Sequence, residues 1–183
     1  MVVSMDCAEW IAGRARGLRG VIFTHSEPLA VPSLVEDVHS MANGFVAAKT
    51  SAHCEQDEFE SFLGSVDAVN VDVKGDDEAY HELCGGDFVK VMRNVELAVN
   101  ARKIVELTFL VIPGMEDGLE RAMECASEVA PDATAWVTGF VPSNRMMDWP
   151  MARRADVDAA AERLSGLFKE VRNHHSNPAA EDR

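Results

Sequence analysis

The sequence predicts an α/β fold: a partial (β/α) barrel of about five parallel strands with helices outside. Two observations carry this. Short runs rich in Val, Ile and Phe alternate with segments of helical period along the chain, the pattern of βα units joined by right-handed crossovers. One run, Val66 to Gly75 (VDAVNVDVKG), also splits by parity, with Val69, Val71 and Val73 on one face and Ala68, Asn70, Asp72 and Lys74 on the other. A strand covered by helices on both faces is apolar throughout, so a polar row needs somewhere to look. The mouth of a barrel supplies that place. Asp72 and Lys74 are therefore expected side by side at the carboxyl end of this strand, each stabilising the other's charge. The same pair also reads as an ion pair that only ties down a loop.

The elements follow in order. Asp6 to Leu18 has helical spacing, with Trp10, Ile11, Ala15 and Leu18 on one face. Gly20 to Thr24 is a short strand, ended by His25–Ser26–Glu27–Pro28, since proline cannot continue a ladder. Ser33 is expected to cap a helix through Met41, with Glu36 and Asp37 in its first turn and Asn43–Gly44 at its end. Phe45 to Thr50 is a strand, Glu55 to Leu63 a crossover helix. Beyond the central strand, Asp76 to Leu83 and Asp87 to Ala101 are helical, the second burying Phe88, Val91, Met92, Val95 and Val99. Lys103 to Ile112 alternates again, with Val105, Leu107, Phe109 and Val111 opposite Glu106 and Thr108. Pro113–Gly114 turns into a helix reaching about Val129. Thr134 to Val141 is the fifth strand, and a last helix runs from about Ala155 to Val171. The barrel domain spans 1–172, and 173–183 is a polar tail expected to be disordered. The chain opens with a helix, so the first βα unit of a barrel is expected to lie outside it.

Composition narrows the function. A net charge of −14 argues against nucleic acid, which is gripped by clustered Lys and Arg. No apolar run nears the roughly 20 residues that span a bilayer, and no signal-like start is present, so the chain is expected in the cytoplasm. Cys7, Cys54, Cys84 and Cys125 are scattered, unlike the tight spacing of metal sites, and are expected to be free thiols. His53–Cys54 and His174–His175 are the remaining metal-like features, both read as loop or tail residues.

Ligands in such folds bind at the carboxyl ends of the strands. Those ends hold Thr24 to Glu27, Thr50 and Ser51, Asp72 and Lys74, Glu106 and Thr108, and Thr138. The set has carboxylates, hydroxyls and one ammonium but no nucleophile–base pair, and no G-x-S-x-G, P-loop or G-x-G-x-x-G is present. It suits a polar ligand bearing an amine, hydroxyls and a carboxylate. Each hydroxyl alone also reads as a loop cap.

Six segments, in order, resemble radical S-adenosylmethionine (SAM) enzymes of the pyruvate formate-lyase-activating-enzyme-like branch. They are GVIFTHSEP (20–28), Thr50–Ser51, Val66 to Gly75, HELCG (81–85), VELTFLVIPG (105–114) and FVPSNRMMDWP (140–150). The resemblance implies that His25–Ser26–Glu27–Pro28 replaces a Gly-Gly-Glu-Pro holding the amino group of SAM, with Glu27 and Pro28 retained. Thr50–Ser51–Ala52 stands for Thr-Asn-Gly. Asp72 and Lys74 match a D-x-K expected near the ribose hydroxyls. Val141 stands where relatives often carry histidine. His25, Ser26, Glu27, Thr50, Ser51, Asp72, Lys74, Glu106 and Thr108 are thus the candidate cofactor-binding residues, with no metal ligand and no catalytic residue assigned.

The family also implies a [4Fe–4S] cluster on a C-x3-C-x2-C loop after the first strand, which delivers the electron that splits SAM to a 5′-deoxyadenosyl radical for hydrogen abstraction. No cysteine here has that spacing. The expected function is the SAM-binding portion of such a barrel, inactive alone and weak in SAM binding, acting on an unnamed protein or small molecule. Two alternatives stand beside it. One is a non-catalytic scaffold whose missing βα unit comes from a partner chain. The other is a decarboxylase-like barrel, since Asp72, Lys74 and Asp77 fit D-x-K-x-x-D.

Overall fold

Among the described residues, six strands form one all-parallel sheet in strict chain order: β1 (Gly20–Phe23), β2 (Phe45–Thr50), β3 (Ala68–Val73), β4 (Ile104–Val111), β5 (Thr134–Gly139) and β6 (Glu170–His174). The computed structural model describes residues 5–174. The helices are α1 (Met5–Ala15), α2 (Pro32–Met41), α3 (Gln56–Leu63), the short α4 (Asp77–Ala79), α5 (Phe88–Asn100), α6 (Glu116–Val129) and α7 (Arg154–Ser165). Sequential order with every crossover of one hand puts the helices on one face and curls the sheet about the other. This is a partial barrel.

Parity decides which side chains face the helices. Val46 and Ala48, then Val69, Val71 and Val73, then Leu107 and Phe109, are at most 1 % exposed. They pack with Phe59 and Leu63 of α3, Val91 and Val95 of α5, Ala122 and Met123 of α6 and Leu164 of α7. Full burial of such a side chain contributes about 1.5–3 kcal/mol, so this layer holds the sheet in shape. The opposite parity carries Lys49, Asn70, Asp72, Glu106 and Thr108 on the concave side, as the alternation required.

Three local expectations differ. The sheet has six strands instead of about five, because the last helix stops at Ser165 with Gly166 as its C-cap rather than reaching Val171. Phe168, 5 % exposed, then anchors the chain so that Glu170–His174 pairs with Thr134–Thr138. Residues 173 and 174 of the expected tail are therefore in a strand, and 175–183 lie outside the described residues. Ser33 does not cap α2: Pro32, with φ preset for a helix, opens it after Val31, which leaves Glu36 and Asp37 past its first turn. The expected apolar face of α1 is not core either, since Trp10 is 66 % and Leu18 67 % exposed.

After β3 the chain turns through Gly75 into α4 and a π-helical turn, Tyr80–Cys84. Asp76 caps α4 by accepting from the Ala79 N–H and pairs with Arg121 of α6 at 2.6 Å. Gly118 permits this approach, because a Cβ there would lie 2.9 Å from Asp76 Oδ1. Burial works to raise the Asp76 carboxyl, but the Ala79 N–H and the Arg121 guanidinium outweigh it and hold the group below its ordinary value of 3.8. A depressed folded-state pKa contributes stability above the unfolded value and loses it as pH falls through the folded one. Asp76→Asn is therefore expected to be less stable than wild type by about 1 kcal/mol at pH 7, discounted because Arg121 is solvent-screened. Urea titrations should show that difference shrinking as the pH falls below the ordinary carboxylate value of 3.8. A gap unchanged from pH 7 to pH 2.5 would contradict the assignment.

Candidate functional site

The carboxyl ends of β1, β2 and β3 enclose a hollow of about 450 Å³, lined by Thr24, His25, Ser26, Glu27, Lys49, Thr50, Ser51, Asp72 and Lys74. Seven of the candidate residues chosen from sequence are thus brought to one place.

Glu27 organises the hollow. Its Oε1 accepts from the Thr50 hydroxyl (2.6 Å) and the Leu29 N–H (3.2 Å), and its Oε2 accepts from the Ser51 N–H (2.8 Å). A carboxylate offers about four acceptor positions, so one remains on Oε2. Glu27 thereby sutures the β1 loop to the end of β2. Thr50 Oγ1 also accepts from the Ala52 N–H at 3.0 Å.

The backbone explains what the sequence departs from. His25 and Ala52 both have left-handed backbones, with φ of 70° and 52°. They stand where the resembled family has glycine, the residue that occupies this region without strain. A histidine and an alanine thus hold a backbone path that glycine follows freely, at a cost of about 1–2 kcal/mol per residue. His25 is exposed, so His25→Gly is expected to raise stability by about 1 kcal/mol, seen as a rise of roughly 2–4 °C in Tm. An unchanged or lowered Tm would mean that the histidine side chain contributes more than the strain.

Asp72 does not pair with Lys74. Its Oδ1 lies 2.5 Å from Lys49 Nζ, whose ammonium also donates to Asn70 Oδ1 (3.0 Å) and Thr108 Oγ1 (3.2 Å). Lys49 reaches across from the inner parity of β2, whereas Lys74 lies past the end of β3 and makes no ion pair among the described residues. Asp72 Oδ2 and the Lys74 ammonium thus both remain open to the hollow. Lys49 was missed from sequence, although the parity that selected Asp72 also puts Phe45, Ala47 and Lys49 on the concave face.

Glu106 and Thr108 do not line the hollow. Thr108 donates to Asn70 Oδ1 at 2.7 Å, and Asn70 Nδ2 donates to Glu106 Oε2 at 3.0 Å. They form the concave floor that fixes Lys49, and so support the hollow indirectly. Thr138 lies further along on β5. Asp77 opens α4 and does not line the hollow, so the D-x-K-x-x-D set does not converge there.

Two supports come from further off. Asn94 of α5 is fully buried and donates to the carbonyls of Ala52 (2.8 Å) and Cys54 (3.0 Å), pinning the loop after β2 from behind. Tyr80 donates from its hydroxyl to the Asp72 carbonyl at 2.9 Å, and burial raises its phenol well above the ordinary value. Neither had a sequence signal beyond a polar residue in an apolar stripe. Cys54 sits on the same loop, where burial first and then the nearby Glu58 and Glu27 carboxylates push its thiol up to about 11. His53 Nε2 accepts from the Asp87 N–H (3.1 Å) and is a loop tie.

A [4Fe–4S] cluster does not fit these residues. Cys7 is on α1, Cys54 follows β2, Cys84 ends the π-turn and Cys125 is on α6, and among the described residues no three metal-ligating side chains gather. No helix among those residues is long and apolar enough to cross a membrane.

No protein-family model matches the chain. The uncharacterized protein MJ0808 of Methanocaldococcus jannaschii is 28 % identical over 138 residues, 72 % of this chain and 41 % of that protein. The chain therefore spans about two fifths of the length of this relative. Among solved structures, SuiB of Streptococcus suis bound to S-adenosylmethionine superposes with a TM-score of 0.75 at 11 % identity, over 98 % of this chain and 45 % of that one. A domain of the pyruvate-formate lyase-activating enzyme of Bacteroides vulgatus gives 0.66 at 15 % identity, over 86 % of this chain and 99 % of that one. The HMG-CoA lyase of Bacillus subtilis gives 0.60 at 16 %, over 96 % and 62 %. The chain thus has the partial-barrel fold seen in radical SAM enzymes. Enzymes of other chemistry share the scaffold, so function must be argued from the hollow.

Proposed function

We propose that the hollow over β1, β2 and β3 binds S-adenosylmethionine, and that this chain is the SAM-holding portion of a radical SAM-type barrel of the pyruvate formate-lyase-activating-enzyme-like branch. The supporting observation is convergence: Glu27, Ser51, Asp72 and Lys74 meet around one cavity whose backbone keeps the left-handed path at His25 and Ala52. The open acceptor on Glu27 Oε2 takes the amino group of SAM. Asp72 Oδ2 accepts from a ribose hydroxyl and Lys74 donates to the other. Lys49 holds the Asp72 carboxylate in place and leaves one of its oxygens for the ligand.

The residues of this chain bind and orient; they do not supply the electron. That step belongs to a cluster for which the described residues offer no thiolate set. Binding is accordingly weak, because only the nucleoside and amino-acid contacts contribute.

Calorimetry with fresh SAM tests the reading. Saturable heat is expected for the wild-type chain, with affinity about tenfold lower for Asp72→Asn, the loss of one charge-assisted hydrogen bond. Absence of binding at millimolar SAM would remove the proposal.

A further inference from the structure

The hollow holds one side chain whose presence the fold does not explain. His25 has a left-handed backbone, with φ of 70°, and lines the hollow from the loop after β1. Its imidazole is exposed and makes no hydrogen bond or ion pair among the described residues. Ala52, the other left-handed residue at this rim, is different: its N–H donates to Thr50 Oγ1 at 3.0 Å and its carbonyl accepts from Asn94 at 2.8 Å. Strain at Ala52 is thus held by the bonds around it. At His25 no side-chain bond offsets the strain, and strain of this kind clusters at ligand clamps.

In SAM the amino group and the carboxylate hang from one carbon, so a carboxylate next to the Glu27-bound amino group needs donors from the same corner. Most donors there are engaged. The Thr50 hydroxyl and the Ser51 N–H both go to Glu27. The Lys49 ammonium is shared among Asp72, Asn70 and Thr108. Lys74 enters from β3, two strand spacings or roughly 10 Å from β1. Thr24, His25 and Ser26 remain on the β1 loop, with the Ser51 hydroxyl, which accepts from the His53 N–H at 3.4 Å. Of these, His25 has the longest side chain and is the one able to bring a positive charge to a carboxylate.

We propose, on the premise that the hollow binds SAM, that His25 is a specificity-determining residue whose imidazole N–H donates to the ligand's carboxylate. Glu27 and His25 then read the two charged groups of an α-amino acid from one loop, and the site tells an α-amino acid from a simple amine. The strain is offset in the complex and not in the free chain, so stability and affinity respond to His25 with opposite signs.

Calorimetry with SAM and with decarboxylated SAM, which keeps the amino group and lacks the carboxylate, tests this on wild type, His25→Gly and His25→Asn. His25→Gly is expected to bind SAM at least about fivefold more weakly while its Tm rises. Decarboxylated SAM should bind wild type and His25→Gly within about twofold of each other. His25→Asn keeps a donor on a residue that tolerates the left-handed region, and should bring SAM affinity back to within about threefold of wild type. Unchanged SAM affinity in His25→Gly, an equal loss for both ligands, or no recovery in His25→Asn overturns the role of His25 and leaves the hollow as a SAM site. Absence of SAM binding by wild type removes the reading of the hollow itself, and this role with it.

Discussion

Asn94→Leu is expected to lower stability by about 2–4 kcal/mol, a drop of roughly 5–15 °C in Tm. The side chain is fully buried, and its amide is the donor for both the Ala52 and Cys54 carbonyls. Leucine fills the same volume but offers no hydrogen, so the Ala52 carbonyl loses its partner inside the protein and the Cys54 carbonyl keeps only the longer bond from Arg93 Nη2, at 3.4 Å. Each unpartnered buried group costs about 1–3 kcal/mol, and the Cys54 carbonyl, less buried than that of Ala52, recovers part of this from water. The consequence reaches the hollow: the loop from Ser51 to Cys54 loses its rear support, and the Ser51 N–H no longer meets Glu27 at a fixed place. SAM affinity should fall together with stability. Thermal unfolding within 2 °C of wild type would show that these bonds do not hold the loop.

Glu27→Ala is expected to do the greater damage to binding, with SAM affinity reduced by more than about tenfold and stability lower by about 2 kcal/mol. The carboxylate gathers the Thr50 hydroxyl and the Ser51 and Leu29 N–H groups, and its removal frees three donors at once. Water reaches this half-buried position and satisfies them in part, which keeps the stability loss moderate. The ligand's amino group has no such substitute. Glu27→Gln separates the two effects. It keeps one carbonyl oxygen and the shape, so stability should recover most of the way, while the missing charge keeps SAM binding weak. Calorimetry and thermal unfolding on both variants check this. Wild-type SAM binding by Glu27→Ala would place the amino group elsewhere.

Much of the site was legible because parity is a local property. Asp72 follows Val71 and precedes Val73, so its face is decided by its neighbours, and the same holds for Glu106 and Thr108. Glu27 and Thr50 were found because one lies on the loop that follows a strand and the other ends a strand, and such positions share one rim. What parity cannot supply is which side chains on one face touch. Asp72 and Lys74 are two residues apart, and the nearer-looking pair in sequence is not the pair that forms. Lys49, 23 positions away, has the shorter reach because β2 and β3 lie side by side. Glu106 shares the face but sits on its floor, opposite Asn70 and below the level of Asp72, whereas Thr108 is level with Asp72 but is engaged by Asn70 and Lys49.

The strand count went astray for a related reason. Glu170–His174 is too polar and short to announce itself, and it becomes a strand only because β5 offers an edge and Phe168 holds the approach.

By itself, the sequence determined the order of βα units, the apolar face of each strand and the residues that stand at the strand ends, since these follow from spacing along one chain. Only the tertiary structure decided that Lys49 holds Asp72 and that Asn94 holds the loop after β2. Those outcomes depend on register and on which helix lies behind which loop, and such contacts join residues whose neighbours in sequence carry no record of the meeting.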